Sequence, residues 1–306
     1  MQPESDHPHN RPLLALGLRL AAALVLAGLL ACVKLASERG IHLAEIMFWR
    51  QLPTIPILLG WFALRRQLGT LKTARMGSHL RRSGFGMVGM TMNFGAATLL
   101  PLAVATTLNY SSAIFAVVLS ALVLREPTGV WRWSAVALGF TGVVVIAQPW
   151  GGELPLLGAA IALGAALMIA LISVQLRDLG RTEHPFTIVF YFSLFSVPVL
   201  ALAMPFVGQA HPLEDWLLLL ACGVIGLLGQ VLLTAALRYG MVANVIVMDY
   251  SGLVWATLFG WLVFSNLPPA SFWIGAPLVV GAGLLIAWRE HRLGLARRAL
   301  AEPKEA

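Results

Sequence analysis

The chain has 306 residues, 58% of them hydrophobic and 11% charged, and its 21 Lys and Arg against 14 Asp and Glu give a net charge of +7. That balance excludes an ordinary soluble domain and describes a polytopic membrane protein. The two cysteines, Cys32 and Cys222, both fall in apolar stretches. They offer neither a disulfide framework nor metal-ligand spacing, so no metal or other cofactor is expected.

An α-helix needs about 20 apolar residues to cross a bilayer. Windows of that kind, separated by charged or Pro/Gly-rich breaks, fall at 13–37, 43–64, 83–101, 104–124, 130–148, 154–176, 185–205, 215–237, 241–264 and 271–288. The first carries no cleavage site at signal-peptide spacing and is followed by nine more, so it is expected to be a membrane helix. Between the windows the longest piece is a basic linker over 65–82, which leaves no room for a separate soluble domain.

Placing the N-terminus in the cytoplasm puts Arg65, Arg66, Lys72, Arg75, Arg81 and Arg82 inside, together with Arg125, Arg132, Arg177, Arg181, Arg238 and the basic C-terminal tail. Only Lys34 and Arg39 then fall outside, which predicts cytoplasmic termini by the positive-inside rule. Anionic lipid accounts for the positive charge without any nucleic acid.

The second half echoes the first at an offset of 140 residues. Asn109-Tyr110-Ser111 falls on Asp249-Tyr250-Ser251, Ala116 on Ala256 and Trp133 on Trp273. The breaks at Arg125-Glu126-Pro127 and Ser265-Asn266-Leu267-Pro268 also nearly coincide. Five helices per half make the second half inverted relative to the first, the usual construction of alternating-access carriers. The expected fold is all-α, ten transmembrane helices in two inverted five-helix repeats over 13–148 and 154–288.

Within this frame the chain resembles the drug/metabolite transporter superfamily in its ten-helix EamA type. The resemblance is carried by Lys34, by His42 to Arg50, by Leu99 to Glu126 and by Val254 to Pro268. The family's frequent Glu after helix four matches Glu126, whereas the place after helix nine holds Asn266. Lys34, Glu45 and Arg50 followed by the basic linker look most like members assigned to S-adenosylmethionine uptake, with riboflavin-type carriers close behind. The resemblance implies a secondary transporter of a small organic metabolite in a cell inner membrane. S-adenosylmethionine or another cationic or zwitterionic solute is the first expectation, and riboflavin or an amino acid the alternative.

Polar residues inside the spans supply the candidate site. An ionised Asp at a helix centre costs about 2.5–3.5 kcal/mol on insertion scales, so Asp249 is expected to face the bundle interior and either meet a cationic solute or carry a coupling proton. Its structural alternative is a partner for Arg50 or for a helix end. Arg50 brings a guanidinium fork that suits a carboxylate or phosphate, beside prolines Pro53 and Pro56 that deprive the carbonyls of Trp49 and Leu52 of helical donors. Asn93, Asn109 and Gln230 lie at similar depth and suit either a solute or helix packing. Tyr110 and Tyr250 recur in the repeat, and with Trp49 they can hold a planar or cationic group. Lys34 and Glu45 flank the outer ends of the first two spans, where they can pair with each other, snorkel, or gate the entrance.

Two soluble-protein motifs carry no function here. Gly84-Phe85-Gly86-Met87-Val88-Gly89 has dinucleotide-fingerprint spacing but opens a membrane helix, so its glycines are expected to serve packing. Asn109-Tyr110-Ser111 is a glycosylation sequon buried in a span. A membrane enzyme and a non-transporting membrane partner are the readings from other classes. The former lacks any zinc, phosphate-loop or nucleophile-elbow pattern.

Overall fold

The computed structural model describes residues 12–122, 129–151, 153–239 and 247–301, and all regular structure among them is helical. Inside lipid every backbone polar group must be satisfied internally, so long apolar segments become helices. The elements are α1 (Pro12–Glu38), α2 (Leu43–Gln51), α3 (Thr54–Leu64), α4 (Met76–Leu99), α5 (Leu102–Asn109), α6 (Ser112–Leu122) and α7 (Val130–Ala147). The second half follows with α8 (Leu156–Leu179), α9 (Pro185–Ala201), the short α10 (Met204–Val207), α11 (Leu213–Tyr239), α12 (Ser251–Phe264) and α13 (Ala270–Ala301). Six stretches among the described residues are long and apolar enough to span a bilayer: Leu13–Glu38, Leu102–Ala121, Val130–Ala147, Leu156–Leu176, Leu213–Leu233 and Ala270–Arg289.

Two expected spans are interrupted. The window 43–64 is broken at Leu52–Pro53, where Pro53 cannot donate to Trp49, and helix resumes as α3. The Leu52 carbonyl is not left bare as expected, because the Ile55 amide reaches it at 3.4 Å. The window 104–124 is broken at Tyr110–Ser111 between α5 and α6. The start of 241–264, and Glu126 with its flanking break, lie outside the described residues.

Helix starts are capped in a way that matches across the halves. His42 precedes α2 and its Nδ1 accepts from the Ala44 amide at 3.2 Å, while His184 precedes α9 and its Nδ1 accepts from the Phe186 amide at 3.3 Å. Each imidazole satisfies an N-terminal amide that the helix itself cannot pair.

Packing follows the same correspondence. Helix α1 lies along α11 as α4 lies along α8, and α2 meets α11 as α9 meets α4. Helix α1 also packs on α12, as α5 and α6 pack on α8, while α7 pairs with α13 and α5 with α12. Lipid provides no hydrophobic drive between helices, so close approach of small residues does much of the work. A Cβ on Gly142 would stand 2.7 Å from the Gly275 carbonyl oxygen, which shows how near the backbones of α7 and α13 come. Gly86 and Gly89 meet the side chains of Phe192 and Met168, the packing role expected of that glycine run, whereas nothing lies within 4 Å of a Cβ on Gly84.

Candidate functional site

The repeated Asn/Asp-Tyr-Ser marks an irregular turn in both halves. The Tyr110 amide is shared between the Thr106 and Thr107 carbonyls at 3.2 and 3.1 Å, and Ser111 donates to Leu108 at 3.1 Å before α6 begins. In the second copy a 3₁₀ turn, Val247–Tyr250, leads into α12, and the Ser251 hydroxyl donates to the Met248 carbonyl at 2.7 Å. Short 3₁₀ pieces inside helices commonly mark functional breaks. The two tyrosine rings meet edge to face with centroids 4.8 Å apart. The Tyr110 hydroxyl donates to the Asp249 carbonyl at 2.6 Å. Tyr250 in turn presses on α13, where a Cβ added to Gly283 would stand 1.7 Å from its hydroxyl oxygen.

Asp249 is paired, but not with Arg50. Arg19 of α1 holds it in a two-pronged ion pair, Nε to Oδ1 and Nη2 to Oδ2. Arg19 is 7% exposed, so the pair couples α1 to the second-half turn in a partly desolvated setting. The Asn109 amide donates to Asn93 Oδ1, while Asn109 Oδ1 has no partner. Asn93, Asn109, Tyr110, Asp249 and Tyr250 therefore form a chain of contacts running from α4 through the breaks in both halves.

Arg50 belongs to a second locus. It sits in the last turn of α2, 8% exposed, and its Nη1 donates to Gln51 Oε1 at 2.7 Å and to Met90 Sδ at 3.2 Å. Its guanidinium carbon lies 5.6 Å from the Phe94 ring centroid. Arg82, read from sequence as part of the cytoplasmic linker, is instead a helical residue of α4, with its guanidinium carbon 4.2 Å from the Phe192 ring centroid. Arg50, Gln51, Thr54, Arg82, Phe192 and Gln230 line one cavity of about 20 Å³. That is room for roughly one water-sized group.

Lys34 and Glu45 do not pair with each other. Lys34 is 6% exposed and donates to the carbonyls of Ala97 and Leu100 at 3.2 and 2.9 Å, closing the C-terminal end of α4 where Pro101 interrupts the chain. Glu45 Oε1 meets His211 Nε2 at 2.9 Å. Trp49 packs edge to face on Phe48 and Trp216, with centroids 5.4 and 5.1 Å away, rather than beside the tyrosines. The His211 ring also leans on Trp216, so Glu45 and Trp49 share one aromatic cluster.

Sequence reasoning missed Arg19, Gln51, Arg82 and His211. The first was legible as one of two cations, with Lys34, inside the leading apolar window; Arg82 was masked by its neighbours in a basic run. No cluster of three or more metal-ligating side chains occurs among the described residues.

The family model described as EamA-like transporter family matches residues 13–148 and, a second time, 156–288. The chain is 33% identical to a riboflavin transporter of Vibrio cholerae over 213 residues, 69% of this chain and 71% of that one. It is 34% identical to a pseudopaline exporter of Pseudomonas aeruginosa over 264 residues, 84% and 90% of the two chains. A mouse protein, solute carrier family 35 member G1, is 25% identical over 79% of this chain and 70% of its own. A solved crystal structure at 20% identity shares the fold with a TM-score of 0.60, covering 90% of this chain and 97% of that one.

Proposed function

The chain belongs to the EamA-like transporter family and is a multi-pass membrane transporter, and from that premise we propose that it is a secondary carrier moving one small organic metabolite by alternating access. The carrier is built from ten transmembrane helices in two inverted five-helix repeats, 13–148 and 154–288. Three observations support the duplication: the two separate matches of one family model, the matching histidine caps, and helix contacts that map onto one another when the halves are exchanged. It lies in the inner membrane with both termini in the cytoplasm, as the distribution of basic residues favours.

The observation that carries the mechanism is the meeting of the two interrupted segments at Tyr110 and Tyr250. Breaks at equivalent places in opposed repeats put irregular backbone where a solute can be bound and where the halves can rock. Asn93, Asn109, Tyr110, Asp249 and Tyr250 form this centre, and Arg50 contributes from the neighbouring cavity. In the cycle Asp249 exchanges Arg19 for a proton or for a cation on the solute. Lys34 at the end of α4, and separately Glu45 with the aromatic cluster of Trp49, govern the outer end.

The relatives named as a riboflavin transporter and a pseudopaline exporter favour solutes of those kinds over S-adenosylmethionine. Counterflow with purified protein in liposomes tests the reading against its alternatives. Transient accumulation of labelled riboflavin, or of another solute from a panel that includes S-adenosylmethionine and amino acids, supports a carrier. Chemical conversion of the solute would make the protein an enzyme, and neither outcome across the panel would leave a binding or assembly role.

A further inference from the structure

We propose that Arg50, Gln51 and Arg82 form an anion-recognition subsite whose cavity takes up one oxygen of a carboxylate or phosphate group carried by the transported solute. The cavity is surrounded by hydrogen-bond donors that lack acceptors. Arg50 Nε, Gln51 Nε2, and Nε and Nη1 of Arg82 are all buried and without a partner. Gln51 has turned its amide oxygen toward Arg50, so its NH₂ is the free end. Unmade donors at this depth are costly, and unpaired guanidinium groups more so.

No carboxylate pairs with either arginine among the described residues. Asp249 is engaged by Arg19, Glu45 by His211, Asp215 by Arg39 and Glu183 by Thr73. Two like charges bordering one small cavity repel each other, a cost that an anion between them would reverse. A guanidinium fork presents paired donors to planar or tetrahedral oxyanions.

The surroundings hold both guanidinium groups in place. The rings of Phe94 and Phe192 lie within cation-π distance of them, and two glycines keep the space they occupy. A Cβ on Gly226 would stand 3.2 Å from Arg50 Cγ and Nε, and one on Gly86 would stand 2.8 Å from the Phe192 ring and 3.1 Å from Arg82 Nη1. Helices α2, α3 and α4 from the first half and α9 and α11 from the second all reach the cavity. An anion seated there would bear on the contacts between the halves, which is where a carrier must sense its load.

The subsite rests on the carrier reading only for its purpose; its occupancy is tested without transport. Purified protein in phosphatidylcholine nanodiscs is titrated with inorganic phosphate and with succinate, against sodium chloride at equal ionic strength, following the thermal midpoint. The wild type is expected to show a saturable rise of about 5 °C well above half-saturation with at least one of the two anions. Arg82→Gln should lose it, and Arg82→Lys, which keeps the charge without the fork and guards against misfolding, should need several-fold more anion. No saturable rise with either anion, or an equal rise in Arg82→Gln, overturns the proposal. So does stabilisation produced only by replacing phosphatidylcholine with phosphatidylglycerol, which would make the subsite a lipid headgroup site. Absence of counterflow with full anion stabilisation would defeat the carrier reading and leave the subsite standing.

Discussion

The Tyr110 hydroxyl donates to the backbone carbonyl of Asp249 at 2.6 Å, joining the break in the first half to the matching break in the second. Because the acceptor is the backbone, the bond reports the position of the turn itself. Tyr110→Phe removes it without changing the ring, and should cost about 1 kcal/mol of stability while reducing flux. Thermal unfolding and transport measured on the same preparation check both, with flux falling more than the stability loss alone explains.

Gly283 and Gly281 lie two residues apart on α13 and should respond oppositely to alanine. A Cβ at Gly283 collides with the Tyr250 hydroxyl, whereas nothing lies within 4 Å of one at Gly281. Gly283→Ala should destabilise by about 1–3 kcal/mol through overpacking. Gly281→Ala should be neutral or stabilising by up to about 1 kcal/mol. Equal effects on the thermal midpoint would mean that Tyr250 does not seat against α13.

The break positions explain how much of this was legible in the sequence. Asn109-Tyr110-Ser111 and Asp249-Tyr250-Ser251 were visible as a repeat because turn chemistry is local, and the apolar windows were visible because lipid demands length. Pairing across the fold was not visible. The structural alternative for Asp249 was pairing with Arg50 or a helix end, yet α1 packs against its turn and Arg19 is the cation that reaches it. Arg82 looked like one more basic linker residue because hydropathy windows average over a turn. In three dimensions its turn already belongs to α4 and faces Phe192.

The Arg19 and Asp249 side chains should be energetically coupled. Asp249 is about one-third exposed, which limits the gain, so the interaction energy in a double-mutant cycle of Arg19→Gln and Asp249→Asn should be about 0.5–3 kcal/mol. The double variant should be more stable than the sum of the single losses implies. Simple additivity in thermal or denaturant unfolding would show that the pair does not hold α1 to the turn.

Lys34 is expected to act through α4. Replacing it with Met keeps the length of the stem but leaves the Ala97 and Leu100 carbonyls without their donor, at a cost of about 1–3 kcal/mol. Glu45→Gln should leave this loss unchanged, because Glu45 belongs to His211. Thermal midpoints of the two single variants and the double variant decide whether the positions are independent.

The most direct test of a central site shared by the two halves is solute flux in proteoliposomes carrying Asp249→Asn or Arg50→Ala at protein levels equal to wild type. Loss of most of the flux in both variants, with the proteins still folded, is the predicted result. Undiminished flux in both would contradict the assignment of the site.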